Sequence, residues 1–193
     1  MLFDTKTETK TAKADVVDQD SKFVKFETSQ TAQINNIKDL VGEFPDPNGV
    51  YFLWTKKSFN AFTFIVYVLK YKAYIEELTF STYGINIRII TSLFKRIDDN
   101  KIGQVNIFMA ESATYRIPKV LDHLKSMCDA RPGKVNVFYG WNHSKITLMK
   151  TADSFFTVAG SGNFSENARH EQYVFADNPS IYNFYKNCIM SNE

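Results

Sequence analysis

Beyond residue 48 the chain alternates between two hydrophobic rhythms. Short apolar runs at 50–54, 74–81, 105–109 and 135–139 have strand length and are rich in Val, Ile, Phe and Tyr. Between them lie longer stretches with apolar residues three and four apart, the spacing of one helix face. Residues 58–71 predict a buried helix with Ser58 as N-cap, and residues 86–98 one with Ile87, Ile90, Phe94 and Ile97 inward. Pro118 suits the first turn of another helix, with Val120, Leu121, Leu124, Met127 and Cys128 on one side. Two further strand candidates, 142–149 and 155–160, join through a tight connection at Thr151, Ala152 and Asp153. Asn178 is placed to cap a last helix over 179–189, whose buried face carries Ile181, Phe184, Tyr185, Cys188 and Ile189. This alternation predicts an α/β fold: a mixed, largely parallel sheet flanked by helices on both faces.

Ahead of that pattern the chain changes character. Residues 1–22 are rich in Thr, Lys and Asp and lack periodicity, so they are expected to form a flexible polar leader. Residues 23–48 are expected to hold a weak helix over 31–41, built on Ile34, Ile37, Leu40 and Val41 and stopped by Gly42, followed by a turn-forming linker. Residues 49–193 make the main domain.

Composition narrows the classes. A chain of 193 residues suffices for one α/β domain with a sizeable core, and 44% apolar content with 17 Phe excludes a disordered protein. The N-terminus has no apolar stretch of the secretory kind, and the apolar run at 59–69 is too short to span a bilayer. Cys128 and Cys188 give neither a disulfide framework nor zinc spacing, so a cytoplasmic protein without membrane, metal or cofactor is expected. Residues 1–48 carry six Lys against nine Asp and Glu, a net −3; the remainder carries 17 basic and 12 acidic residues, a net +5. A mildly basic body suits a phosphate-bearing partner.

The candidate chemistry lies at 143–172. On a strand, residues two apart point to the same side, so His143 and Lys145 project together, about 7 Å apart. Gly160 and Ser161 end the following strand, with Asn163 just beyond. If those strands are neighbours, His143, Lys145, Ser161 and Asn163 meet at one end of the sheet. An imidazole nucleophile, a fixed positive charge and neutral donors are what attack on a phosphodiester requires.

The order H-S-K, then D-x6-G-S-G-N, resembles the HKD motif of the phospholipase D superfamily, H-x-K-x4-D-x6-G-S-x-N. His143, Lys145, Gly160, Ser161 and Asn163 match it. Asp153 keeps its spacing to Gly160, but seven residues rather than four separate it from Lys145, and Lys150 occupies the family's Asp position. The resemblance implies a phospholipase D-like fold and a two-step reaction: one histidine becomes a phosphohistidine, while a second protonates the leaving oxygen and then activates water. Lysines and asparagines bind the phosphate, with Ser161, Gly160 and Asp153 in support and no metal. A downstream acid holds the nucleophile's other ring nitrogen, a role that falls to Glu171 and places its carboxylate within hydrogen-bond reach of His143. Because this chain carries a single motif, the resemblance to small single-motif members implies a homodimer with a shared site, and a DNA endonuclease as the activity.

Other residues read more plainly. His123 lies on the polar side of its helix and is expected at the surface. His170 is expected to brace the loop or contact nucleic acid, ahead of a role as an acid within the chain. Asp98 and Asp99 close a helix without further metal ligands. Lys56, Lys57, Lys70 and Lys72 are solvated helix ends or a rim that follows phosphates. Phe59, Phe62 and Phe64 are core. Two other functions compete: a non-catalytic structural or interaction protein that kept the fold, and, ranked lower, a phospholipid hydrolase or transphosphatidylase.

Overall fold

The computed structural model describes residues 26–57, 59–165 and 170–191. Its strands are β1 (Thr28–Ile34), β2 (Gly49–Thr55), β3 (Ile75–Thr82), β4 (Ile102–Ala110), β5 (Val135–Gly140), β6 (Ile146–Lys150), β7 (Phe155–Gly160) and β8 (Gln172–Asp177). The helices are α1 (Phe62–Lys72), α2 (Ile87–Asp98), α3 (Ala113–Arg116), α4 (Pro118–Asp129) and α5 (Pro179–Met190). The strands form one sheet in the order β1-β2-β8-β7-β6-β3-β4-β5. Only β6 and β8 run against the other six strands. The sheet is therefore mixed and largely parallel in direction, and the carboxyl ends of six strands share one edge with the starts of β6 and β8.

Period-two alternation sorts side chains to the two faces. Val105, Ile107 and Met109 of β4 join a core with Phe64 and Ile65 of α1, Ile90 and Phe94 of α2, and Leu121 and Leu124 of α4. On the opposite face Phe108 packs with Leu148, and with Tyr182 and Ile189 of α5. Helices thus cover both faces. Full burial of a side chain such as Phe94 contributes about 1.5–3 kcal/mol, and Phe94→Ala would cost about 3–5 kcal/mol.

Several expectations change. The helix expected over 31–41 is instead the end of β1 followed by a 3-10 turn, Ile37–Leu40. Ile34, Ile37 and Leu40 are buried as a helix face would bury them, but a three-residue spacing also fits a 3-10 turn. Asn36 caps that turn by accepting from the Lys38 N–H, and Asp39 reciprocates to the Asn36 N–H (3.1 Å). In α2, Ile89 and Leu93 turn inward while Ile87 is exposed. In α5 the buried residues are Tyr182 and Ile189, and Phe184 and Cys188 face out. Asn178 caps α5 as expected, accepting from Ser180 and Ile181 N–H groups. Strands β1 and β8 and the single turn of α3 were not expected at all. Residues 1–22 and Ser58 lie outside the described residues. Among the described residues no helix is long and apolar enough to cross a membrane.

Candidate active site

The strand expected over 142–149 begins at Ile146, so His143 and Lys145 occupy the connection from β5 into β6. This connection is anchored by Asn142, 8% exposed. Its Oδ1 accepts from the Ser144 N–H (2.8 Å), the Ser144 hydroxyl (2.7 Å) and the Ser81 hydroxyl (3.0 Å). Its Nδ2 donates to the Phe108 carbonyl (3.2 Å), tying the loop to β4. On the other side the Gly160 N–H donates to the Lys145 carbonyl (3.2 Å), which sets the H-x-K segment beside the end of β7. A side chain at Gly160 would collide with the Gln172 carbonyl and the Tyr173 ring, so only glycine lets β8 approach β7 here.

Ser161 follows directly. Its hydroxyl donates to a Glu171 carboxylate oxygen and accepts from the Gln172 N–H (3.1 Å). Glu171 is fixed to β2 through its own N–H, which donates to Thr55 Oγ1 (2.7 Å). Asn163 sits one residue before Phe164, whose ring stacks on Phe80 (4.3 Å between centroids) and whose N–H donates to the Gly84 carbonyl (3.1 Å). The Asn163 amide oxygen is buried and has no hydrogen-bond partner among the described residues. His143, Lys145, Gly160, Ser161, Asn163 and Glu171 thus stand at one edge of the sheet.

The contacts within that group differ from those the sequence suggested. Lys145 Nζ donates to the His143 carbonyl (3.0 Å) and lies 3.4 Å from His143 Nδ1. An ammonium only donates, so a hydrogen bond at this contact uses Nδ1 as its acceptor. Among the described residues Glu171 takes its side-chain hydrogen bond from Ser161, and none joins it to His143. Burial pushes the Lys145 ammonium below its ordinary pKa; the charge of Glu171, then Tyr83, pulls it back part of the way. Glu171 thus acts on Lys145 through space.

Asp153 is not brought to the site. It lies at the far tip of the β6–β7 hairpin, where it pairs with Lys72 (2.7 Å) and accepts from the Thr151 hydroxyl (2.9 Å). Hydrogen bonds from Lys72 and then Thr151 hold its carboxyl below the usual range. Lys150, at the family's Asp spacing, pairs with Glu76 (2.9 Å). His123 is remote, within 3.3 Å of Thr91 Oγ1. His170 braces its loop: Nδ1 donates to the Thr55 carbonyl (2.7 Å) and the ring stacks on Trp54 at 6.2 Å.

Sequence reasoning missed Tyr83 and Arg116. The Tyr83 ring contacts both the His143 imidazole (4.6 Å between centroids) and the Arg116 guanidinium, 3.8 Å from its centroid. Arg116 also donates to the Tyr83 carbonyl (2.7 Å). Arg116 thus holds Tyr83, and Tyr83 packs at a tilt against the nucleophile candidate. Neither residue stands in a recognisable spacing. Asn142 had a signal: polar Thr79, Ser81 and Thr82 inside an apolar run mark a buried strand that must find polar partners. Among the described residues no three His, Cys, Asp or Glu side chains gather in one place.

No family model and no curated protein sequence matches this chain. Its structure is similar to that of the polyphosphate kinase from Porphyromonas gingivalis, a phospholipase D superfamily member, at 16% identity and a TM-score of 0.54 over 75% of this chain. The fold is phospholipase D-like. The chain spans 26% of that kinase's length.

Proposed function

We propose that this chain is a metal-independent phosphodiesterase, a DNA endonuclease that works through a phosphohistidine in a site shared across a homodimer. The observation that carries the reading is the meeting of His143, Lys145, Ser161, Asn163 and Glu171 at one sheet edge. That edge, outside the carboxyl ends of parallel strands, is where open α/β sheets bind ligands. The excess of basic residues in 49–193 favours a polyanionic substrate.

In the reaction, His143 Nε2 attacks phosphorus and the P–O bond to the leaving group breaks. A protonated histidine supplies the leaving oxygen with its proton, then takes one from the water that cleaves the N–P bond. Lys145 and Asn163 hold the non-bridging oxygens. Attack through Nε2 needs a bare Nε2 and a protonated Nδ1, so Lys145 must leave the ring for the phosphate. The reactive ring carries its proton on Nδ1, turned to the Glu171 carboxylate.

The second histidine comes from the partner subunit. His170 is the other histidine at this edge, but it is bound to β2, three strand spacings from β6, or about 14 Å. Its Nδ1–H is also committed to Thr55. His143 of the partner subunit meets the need by two-fold symmetry.

The test is hydrolysis of bis(4-nitrophenyl) phosphate and nicking of plasmid DNA, both in excess chelator. Wild type is expected to act on both; His143→Ala is expected to be folded and inactive. Activity of His143→Ala within tenfold of wild type removes the nucleophile role and leaves the interaction-protein reading. Loss of cleavage in chelator, restored by a divalent ion, overturns the metal-independent mechanism. Mixing His143→Ala with Lys145→Ala chains is expected to restore nothing, because every mixed dimer lacks one needed group.

A further inference from the structure

We infer that the cavity beside His143 is a subsite for one unpaired nucleobase of the substrate strand, an inference that rests on the phosphodiesterase function proposed above. The cavity has a volume of about 360 Å³ and opens between the ends of β4 and β5 and the turn of α3. That volume falls within the range of about 300–1,000 Å³ usual for small-ligand sites. Its walls include Tyr83, Tyr115, Trp141, Glu111 and Ser112, and His143 itself.

Three aromatic rings around one opening call for explanation. Trp141 is fully exposed (103%) and Tyr115 is 76% exposed, so neither serves the core. Large aromatic surfaces left in water beside a catalytic histidine are stacking platforms, because every base offers a π-face whatever its sequence. Tyr83 forms the wall shared with the reaction centre, since it touches the His143 ring on one face.

Charge argues for a base rather than a phosphate. Glu111 is among the lining residues, and its negative charge repels phosphate oxygens, whereas a carboxylate accepts hydrogen bonds from an exocyclic amino group such as that of cytosine. Among the described residues no lysine or arginine lines the cavity, and Arg116 is committed to Tyr83. The phosphate therefore belongs at Lys145, and the base joined to it by one sugar reaches the cavity. A base in this position has left its stack and its pair, so the favoured substrate is single-stranded.

Binding is read with the full chain carrying His143→Ala, which prevents turnover, and Trp54→Phe, which leaves Trp141 as the one remaining tryptophan of two. The probes are a deoxycytidine octamer and an octamer of abasic residues with the same phosphates. The cytidine octamer is expected to quench Trp141 emission and the abasic octamer to leave it unchanged. By anisotropy of labelled probes, adding Trp141→Ala or Tyr115→Ala is expected to weaken the cytidine octamer about tenfold, a typical stacking loss. Affinity for the abasic octamer is expected to stay the same.

Equal affinity for the two probes, or emission indifferent to both, overturns the subsite. So does a Trp141 signal that follows protein concentration instead of probe, which assigns the opening to a second copy of the chain. Hydrolysis of bis(4-nitrophenyl) phosphate has no base to stack, so it separates the two ideas. If it proceeds at His143 while quenching fails, the subsite alone falls. If quenching succeeds without hydrolysis, the phosphodiesterase reading falls and the base site stands.

Discussion

Replacing Asn142 with alanine tests whether a buried amide holds the H-x-K segment in place. The change removes four hydrogen bonds, yet they do not count equally. The Ser81 and Ser144 hydroxyls lie against each other and re-pair once the amide is gone. The Phe108 carbonyl lies within β4, paired on both sides, and keeps its place in the ladder. The Ser144 N–H loses the acceptor that holds it. A polar group stranded in this way costs about 1–3 kcal/mol, and Ser144 is half-buried, so water relieves part of it. The expected loss is about 1–3 kcal/mol, a fair share of the roughly 5–15 kcal/mol that holds a domain together. With a urea dependence of about 2 kcal/mol per molar, the unfolding midpoint falls by about 0.5–1.5 M. Urea titration followed by circular dichroism measures it. A midpoint shift under about 0.5 M, with phosphodiester hydrolysis intact, would refute the idea that this amide positions His143. Asn136→Ala is the control, because its amide is exposed on β5 and donates only to Asn106 (3.0 Å); it is expected to cost under about 1 kcal/mol.

Three further outcomes follow from the site. Burial lowers the Lys145 pKa, so the folded chain releases that proton more easily than the unfolded one. Stability therefore rises with pH through that range, while activity needing the charged lysine falls before the ordinary lysine pKa is reached. In kcat/KM against pH this alkaline limb is expected to vanish in Lys145→Arg, whose guanidinium stays charged; a limb unchanged by the substitution assigns it to another group. Glu171→Gln is expected to cut turnover on the order of 10²-fold, because the imidazolium loses its balancing charge. The same variant is expected to move the Lys145 limb to lower pH, since the Glu171 charge supports the ammonium; a profile that does not move breaks that link. Asp153→Asn is expected to cost under about 1 kcal/mol, since its carboxylate is 65% exposed and its pairing with Lys72 is screened by water. Its depressed pKa means that this small contribution is present above the unfolded carboxyl range and lost as pH falls through the folded one. Urea titrations at pH 7 and pH 3 should therefore differ less for the variant than for wild type.

Local chemistry made part of this protein legible. Period-two and period-3.6 patterns identify β2 to β5 and α1, α2, α4 and α5, because each such element buries a face. The spacing of His143 to Lys145 and of Gly160 to Asn163 marks the site, because it fixes what one turn or strand end presents. Strand β1 escapes such a reading: as an edge strand it exposes Thr28 to Gln33 and shows no apolar alternation. The segment that becomes α3 is a single turn, too short to display a period.

The sequence by itself determined which residues are candidates for chemistry, and that their order resembles a phospholipase D-like pattern. Only the tertiary structure decided which of them meet. The register of β6 on β7, with Ile146 opposite Ala159 and Lys150 opposite Phe155, sets Lys145 beside Gly160 and sends Asp153 to the other end of the hairpin. The insertion of β8 between β2 and β7 delivers Glu171 to Ser161, and the pairing of β3 with both β4 and β6 closes Ser81 onto Asn142. Arg116 reaches Tyr83, 33 residues earlier and in contact with His143, only when α3 folds back over the end of β3. A hydrophobic period is written in a dozen neighbouring residues, whereas strand order is chosen by burial and hydrogen bonding between segments a hundred residues apart.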